Sequence, residues 1–152
     1  MTTAAKTPYS DDLATILSTE LNTLADDTSC AASTTIISNN TIHDLFVDFQ
    51  LDLATVDMSG QSSPSLAVYL IPSVDGTNYP DWEAGADPDP ANEQYYVGSI
   101  TIQELSQVHM QVLTDVALKT GKHKVAIRNN CGAALAASGN TLGFRTHGYE
   151  SY

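Results

Sequence analysis

Four acidic side chains in one short stretch, Asp81, Glu83, Asp87 and Asp89, supply the hard oxygen ligands that Ca²⁺ prefers, on a backbone able to wrap an ion. They match no EF-hand or other ligand register, and solvated loop carboxylates are the commoner outcome, so no cofactor is expected at the 81–89 loop. The histidines His43, His109, His123 and His147 show no i, i+2 or i, i+4 pairing with another ligand, which argues against zinc. The chain holds no G-x-S-x-G elbow, no phosphate-binding glycine loop and no kinase signature. Carboxylate pairs for glycoside cleavage can be drawn from any acidic chain and specify nothing. The expectation is therefore a protein that is not an enzyme, with no catalytic, cofactor-binding or metal-ligating residues. Cys30 and Cys131 stand far apart, outside any C-x-x-C arrangement, and reduced thiols are the plain reading, with one long-range disulfide compatible with the count.

What remains is recognition. Tyr69, Tyr79, Trp82, Tyr95 and Tyr96 crowd one region, and exposed rings there would anchor a partner or stack on sugars. Against this, Tyr69 and one of Tyr95 or Tyr96 fit the core, with Trp82 covering a sheet edge. Lys119, Lys122, Lys124 and Arg128, with Arg145, form a basic group in an acidic chain. Such runs are usually solvated, and the sharper reading is a docking patch for an acidic surface such as the 44–52 face of a neighbouring copy. The candidate interface residues are thus Tyr79, Trp82, Tyr95, Tyr96, Lys119, Lys122 and Lys124.

The charge balance limits the partners. The formal net charge of -12 repels a phosphate backbone and an anionic bilayer, so neither nucleic acid nor membrane is expected. Residues 1–105 carry 16 acids against Lys6 alone, whereas residues 106–152 carry five bases and two acids, a bipolar arrangement along the chain. No apolar run approaches the ~20 residues that span a bilayer, and MTTAAKTPYSDD lacks the apolar core of an export signal, so synthesis and folding in cytosol are expected.

The elements that must position these residues read mostly as strands. Residues 1–30 read as an N-terminal arm or short helix: Leu13, Ile16, Leu17, Leu21 and Leu24 line one helical face, while Thr15, Thr19 and Thr23 favour an extended arm. Residues 31–38 read as a strand turning at Asn39-Asn40 into a return strand over 43–56. There Leu45, Val47, Phe49, Leu51 and Leu53 alternate with Asp44, Asp48, Gln50 and Asp52. Residues 65–72 are apolar on both faces, as a central strand covered on each side would be, and a turn-rich stretch from Ser73 to Asn92 follows. Further strands are expected over 95–103, 107–118, 122–129 and 140–147. In the second of these, Val108, Met110, Val112, Val116 and Leu118 are expected inward and His109, Gln111 and Asp115 outward. With about seven or eight strands, residues 31–152 read as one antiparallel β-sandwich, jelly-roll-like.

Two runs, LAVYLIPSVDGTNYPD (66–81) and GKHKVAIRNNCGAALAASGNTLGF (121–144), resemble small structural proteins of tailed bacteriophages. The similarity spans roughly 42–147, and this chain departs from it at Lys119-Thr120-Gly121-Lys122, where the family pattern has prolines before the glycine. The resemblance implies a virion structural protein, most directly a head decoration or cement protein that stabilises the shell. Its partners would be the major capsid protein and its own copies in a trimer, and its place the capsid surface. The rival is a carbohydrate- or receptor-binding tail module using Trp82 and Tyr79.

Overall fold

The strand pattern of the sequence becomes ten strands in the computed structural model, which describes residues 5–6, 12–86, 90–148 and 150–151. They are β1 (Ala5–Lys6), β2 (Ala14–Leu17), β3 (Ile37–Ser38), β4 (Phe46–Asp57), β5 (Ser65–Ser73), β6 (Tyr96–Thr101), β7 (Ser106–Ala117), β8 (Lys122–Asn130), β9 (Thr141–His147) and β10 (Glu150–Ser151). Two four-stranded antiparallel sheets, ordered β2-β9-β4-β7 and β3-β8-β5-β6, form a β-sandwich, and β1 pairs with β10 apart from them. The pairing is nested: β5 with β6, β4 with β7, β3 with β8, β2 with β9 and β1 with β10. That nesting is the wrapping of a jelly roll.

The core lies between the sheets. From β4, Val47, Phe49, Leu51 and Leu53 are all buried, as their alternation requires, whereas Leu45 precedes the strand and is half exposed. The facing sheet contributes Leu66, Val68 and Leu70 of β5, paired with Asn129, Ile127 and Val125 of β8. The other face of β5 carries Ala67, Tyr69 and Ile71, also buried. Trp82 packs on Tyr69 with ring centroids 5.1 Å apart, so the loop after β5 supplies the second cover that a doubly apolar strand needs.

One alternative is decided and two expectations are corrected. Of the short helix and the extended arm open to the N-terminal segment, residues 14–17 take the extended form as a strand on β9, and Ile16, Leu17 and Leu21 enter the core; only a 3-10 turn at Thr19–Leu21 follows. The β-branched residues Thr15 and Ile16 suit a sheet edge better than a helix. The expected hairpin around Asn39-Asn40 does not form, because β3 pairs with β8 while β4 belongs to the opposite sheet. Asn39 instead ties the crossing. Its buried side chain donates to Asp44 O (2.7 Å) and Lys119 O (3.2 Å) and accepts from Asp44 N–H (2.8 Å), while its backbone N–H reaches Gly121 O (2.8 Å). The segment before it runs irregularly along β8 through Cys30 N–H to Ile127 O and Ser33 N–H to Val125 O.

The second correction concerns β7. Two of its residues, Thr114 and Asp115, stand against the single residue Asp48, since Val47 pairs with Val116 and Phe49 with Leu113. This β-bulge reverses the alternation. Val116 and Leu118 point inward as expected, but Val108, Met110 and Val112 point outward and His109 is buried. Among the described residues neither ring nitrogen of His109 has a hydrogen-bond partner. An unsatisfied buried polar group destabilises a fold, so His109→Leu is expected to raise stability by about 1–2 kcal/mol. Thermal melts of the two proteins check this.

Candidate functional site

The reversed alternation exposes an apolar row on an edge strand. Val108, Met110 and Val112 are 65%, 64% and 58% exposed, and Leu105 just before the strand is 54% exposed. Among the described residues β7 has β4 on one side and no sheet partner on the other. Its 12 residues present about 40 Å of strand at ~3.3 Å per residue. Across β4 the row is bordered by polar groups, Met110 standing opposite Asp52 and Val112 opposite Gln50. Leu113, on the other face of β7, rests on Gly98 of β6, where an added Cβ would lie 3.0 Å from its side chain, a close approach that brings the two sheet edges together. A long apolar edge strand is a template for association.

The aromatic candidates are mostly committed inside the molecule. Trp82 donates its Nε1–H to Cys30 O (2.8 Å) and packs on Tyr69. Tyr79 and Tyr95 are half-buried against the core, and only Tyr96, 48% exposed, offers much of its surface. Tyr69 donates to Glu93 Oε1 (3.1 Å), and burial followed by that carboxylate pushes its phenol up to about 12. The turn before Tyr79 is fastened by Asp75, which accepts from the backbone N–H groups of Asn78 (2.7 Å) and Thr77 (2.8 Å). Those bonds, with a third from the Asn78 side chain, hold the Asp75 carboxyl far below its ordinary range. Gly76, at φ 75°, supplies the left-handed residue this turn requires.

Tyr79, Trp82, Asp81, Asn78 and Lys124 line a cleft of about 460 Å³, with the Lys124 ammonium 4.7 Å above the Tyr79 ring. Lys122 and Lys124 project from the outer face of β8 and Lys119 lies on the turn before it. Arg128 approaches Asp27 at 3.8 Å. Arg145 is in the other sheet, opposite Asp48, so the basic group does not form one patch. The basic face of β8 and the Asp48–Asp52 face of β4 lie on opposite outer surfaces of the sandwich.

Asp81 and Glu83 are exposed, and Asp87 and Asp89 lie outside the described residues. Both cysteines are free and buried. Burial chiefly, offset in part by an N–H from Ile127, raises Cys30 to about 11, and burial followed by Asp26 raises Cys131 to about 12. Neither thiol is expected to react with Ellman's reagent in the native protein at neutral pH, and both should react once guanidinium unfolds it, because only an accessible thiolate attacks.

One group escapes sequence spacing altogether. His147 lies beside Asp48 and Asp115, although 99 positions separate His147 from Asp48 and 67 separate Asp115 from Asp48. Only the sheet order brings these three together, so no local motif announces them.

The fold and surface thus define an antiparallel jelly-roll sandwich with an exposed apolar edge. No family model, no curated protein and no solved structure matches the chain.

Proposed function

We propose that this protein is a docking component of a larger assembly, in particular a decoration or cement protein on the head of a tailed bacteriophage. The carrying observation is the outward row Val108, Met110 and Val112 on the free edge of β7. Burying such a row against a shell protein removes apolar area from water and lets the edge backbone pair. The jelly roll recurs in viral capsid proteins, which is an argument by analogy of fold. The resemblance of residues 66–81 and 121–144 to phage structural proteins supports the same reading. The partners would be the major capsid protein and copies of the chain itself in a trimer. Virion mass spectrometry should find the protein, and shells stripped of it should lose stability and rebind it. Its absence from virions, or stripped shells of unchanged stability that do not rebind it, would defeat the reading.

A second reading is favoured by the cleft between Tyr79 and Trp82, whose ring walls and polar rim of Asn78, Asp81 and Lys124 suit a carbohydrate. A glycan array with binding lost in Lys124→Ala would support it. Because Trp82 also packs on the core, its truncation alone is a poor test.

A further inference from the structure

We propose that Asp48, Asp115 and His147 form a binding site for a divalent transition-metal ion, with zinc the best match. His147 Nε2 lies 3.2 Å from Asp48 Oδ1 and 3.5 Å from Asp115 Oδ1, and all three ligand atoms fall within 4.8 Å of one another. Ligands bound tetrahedrally at ~2.0–2.2 Å from zinc stand about 3.4 Å apart, so the ion fits with little movement of the strands.

The site is built by the sheet. Each ligand comes from a different one of three adjacent strands, β9, β4 and β7. Asp48 and His147 lie on the outer face, two residues apart in register, because Asp48 pairs with Arg145 and Phe46 with His147. A regular β7 would place one residue against Asp48; the bulge places two, and Asp115 takes φ 57° with its N–H donated to Asp48 Oδ1 (2.8 Å). Bulges commonly re-aim a side chain beside a functional site. Phe46 stacks on the imidazole, 5.4 Å between centroids and 25° between planes, and fixes its orientation.

The chemistry selects the ion. The side chain of His147 is 8% exposed and that of Asp48 17%, while Asp115 is 67% exposed, so the set is walled on two sides and open on one. One imidazole nitrogen with two carboxylates suits zinc or a neighbouring first-row ion and falls short of the six to eight oxygens Ca²⁺ requires. A single imidazole N–H satisfies one carboxylate fully, whereas a dication at the same point satisfies both. Arg145, across from Asp48, is the nearby cation that the ion must tolerate. The site does not depend on the docking reading, since it needs no partner.

The test uses the full chain freed of metal with EDTA. Calorimetric titration with zinc should show one equivalent bound, and zinc should raise the melting temperature by several degrees. The Asp115→Asn change should still give a cooperative metal-free melt, weaken zinc at least tenfold and remove the rise; His147→Gln should do the same to binding. Zinc should also shift the His147 imidazole resonances. Overturning results are no saturable zinc binding, equal binding by Asp115→Asn, an equal effect of calcium, or His147 resonances that respond to pH but not to zinc. The last would mark a simple histidine–carboxylate ion pair.

Discussion

Changing Val108, Met110 and Val112 together to lysine is expected to leave the folded protein intact and to weaken its binding to the proposed phage-head shell by roughly a hundredfold or more. Each side chain points to solvent, so each substitution should alter stability by no more than ~0.5 kcal/mol. Three lysines along an edge strand also block pairing with another strand, the device by which natural sheets protect their edges. Losing three apolar anchors at about 1 kcal/mol or more apiece weakens binding by roughly a hundredfold or more. Sedimentation with stripped shells measures the binding, and a melt confirms the fold. Lys119→Ala with Lys122→Ala serves as the comparison, and an equal loss there would move the docking surface to the basic face of β8.

Asn39→Ala is expected to destabilise the protein by about 2–4 kcal/mol, because it strands several buried backbone groups at once. The Asn39 amide serves Asp44 O, Lys119 O and Asp44 N–H, joining the loop between β3 and β4 to the turn before β8. Alanine cannot replace any of these bonds, and the site is too buried for water to do so freely. At ~2–4 °C per kcal/mol for a chain of this size, the melting temperature should fall by roughly 5–15 °C. Asn40→Ala, at its exposed neighbour, should change it by little. Equal effects at the two positions would show that turn propensity, and not the buried bonds, is what matters there.

Much of the sandwich was legible in the residues, and where reading failed the cause is local. β5 announced itself because both its faces are covered, and β4 because one face is dry and the other polar. β7 misled because Val108, Met110, Val112, Val116 and Leu118 all fall on even positions, as one buried face would; the bulge at Thr114 and Asp115 breaks that equivalence. Nothing in the local sequence marks a bulge whose extra N–H is taken by a carboxylate on another strand. The helical spacing of Leu13, Ile16 and Leu17 was overridden by pairing with β9, a tertiary effect that propensity cannot see. Of the interface candidates, the tyrosines and tryptophan were chosen by type, yet their exposure depends on how the loop folds back over Tyr69. The apolar row on β7 was visible as residues and invisible as surface.

The nested pairing of strands governs how the chain reaches this structure. Each outer pair can close only around the pairs within it, so β5 and β6 are the natural first partners and β2 with β9 a late closure. Most sheet bonds therefore join residues distant in sequence, and loop-closure entropy must be met before they form. Folding on the millisecond-to-second scale is expected, as for other chains dominated by non-local β pairing. During that interval the β4 edge that β9 will occupy stands open, and the concentration of chains decides whether it finds its own partner or a neighbour's.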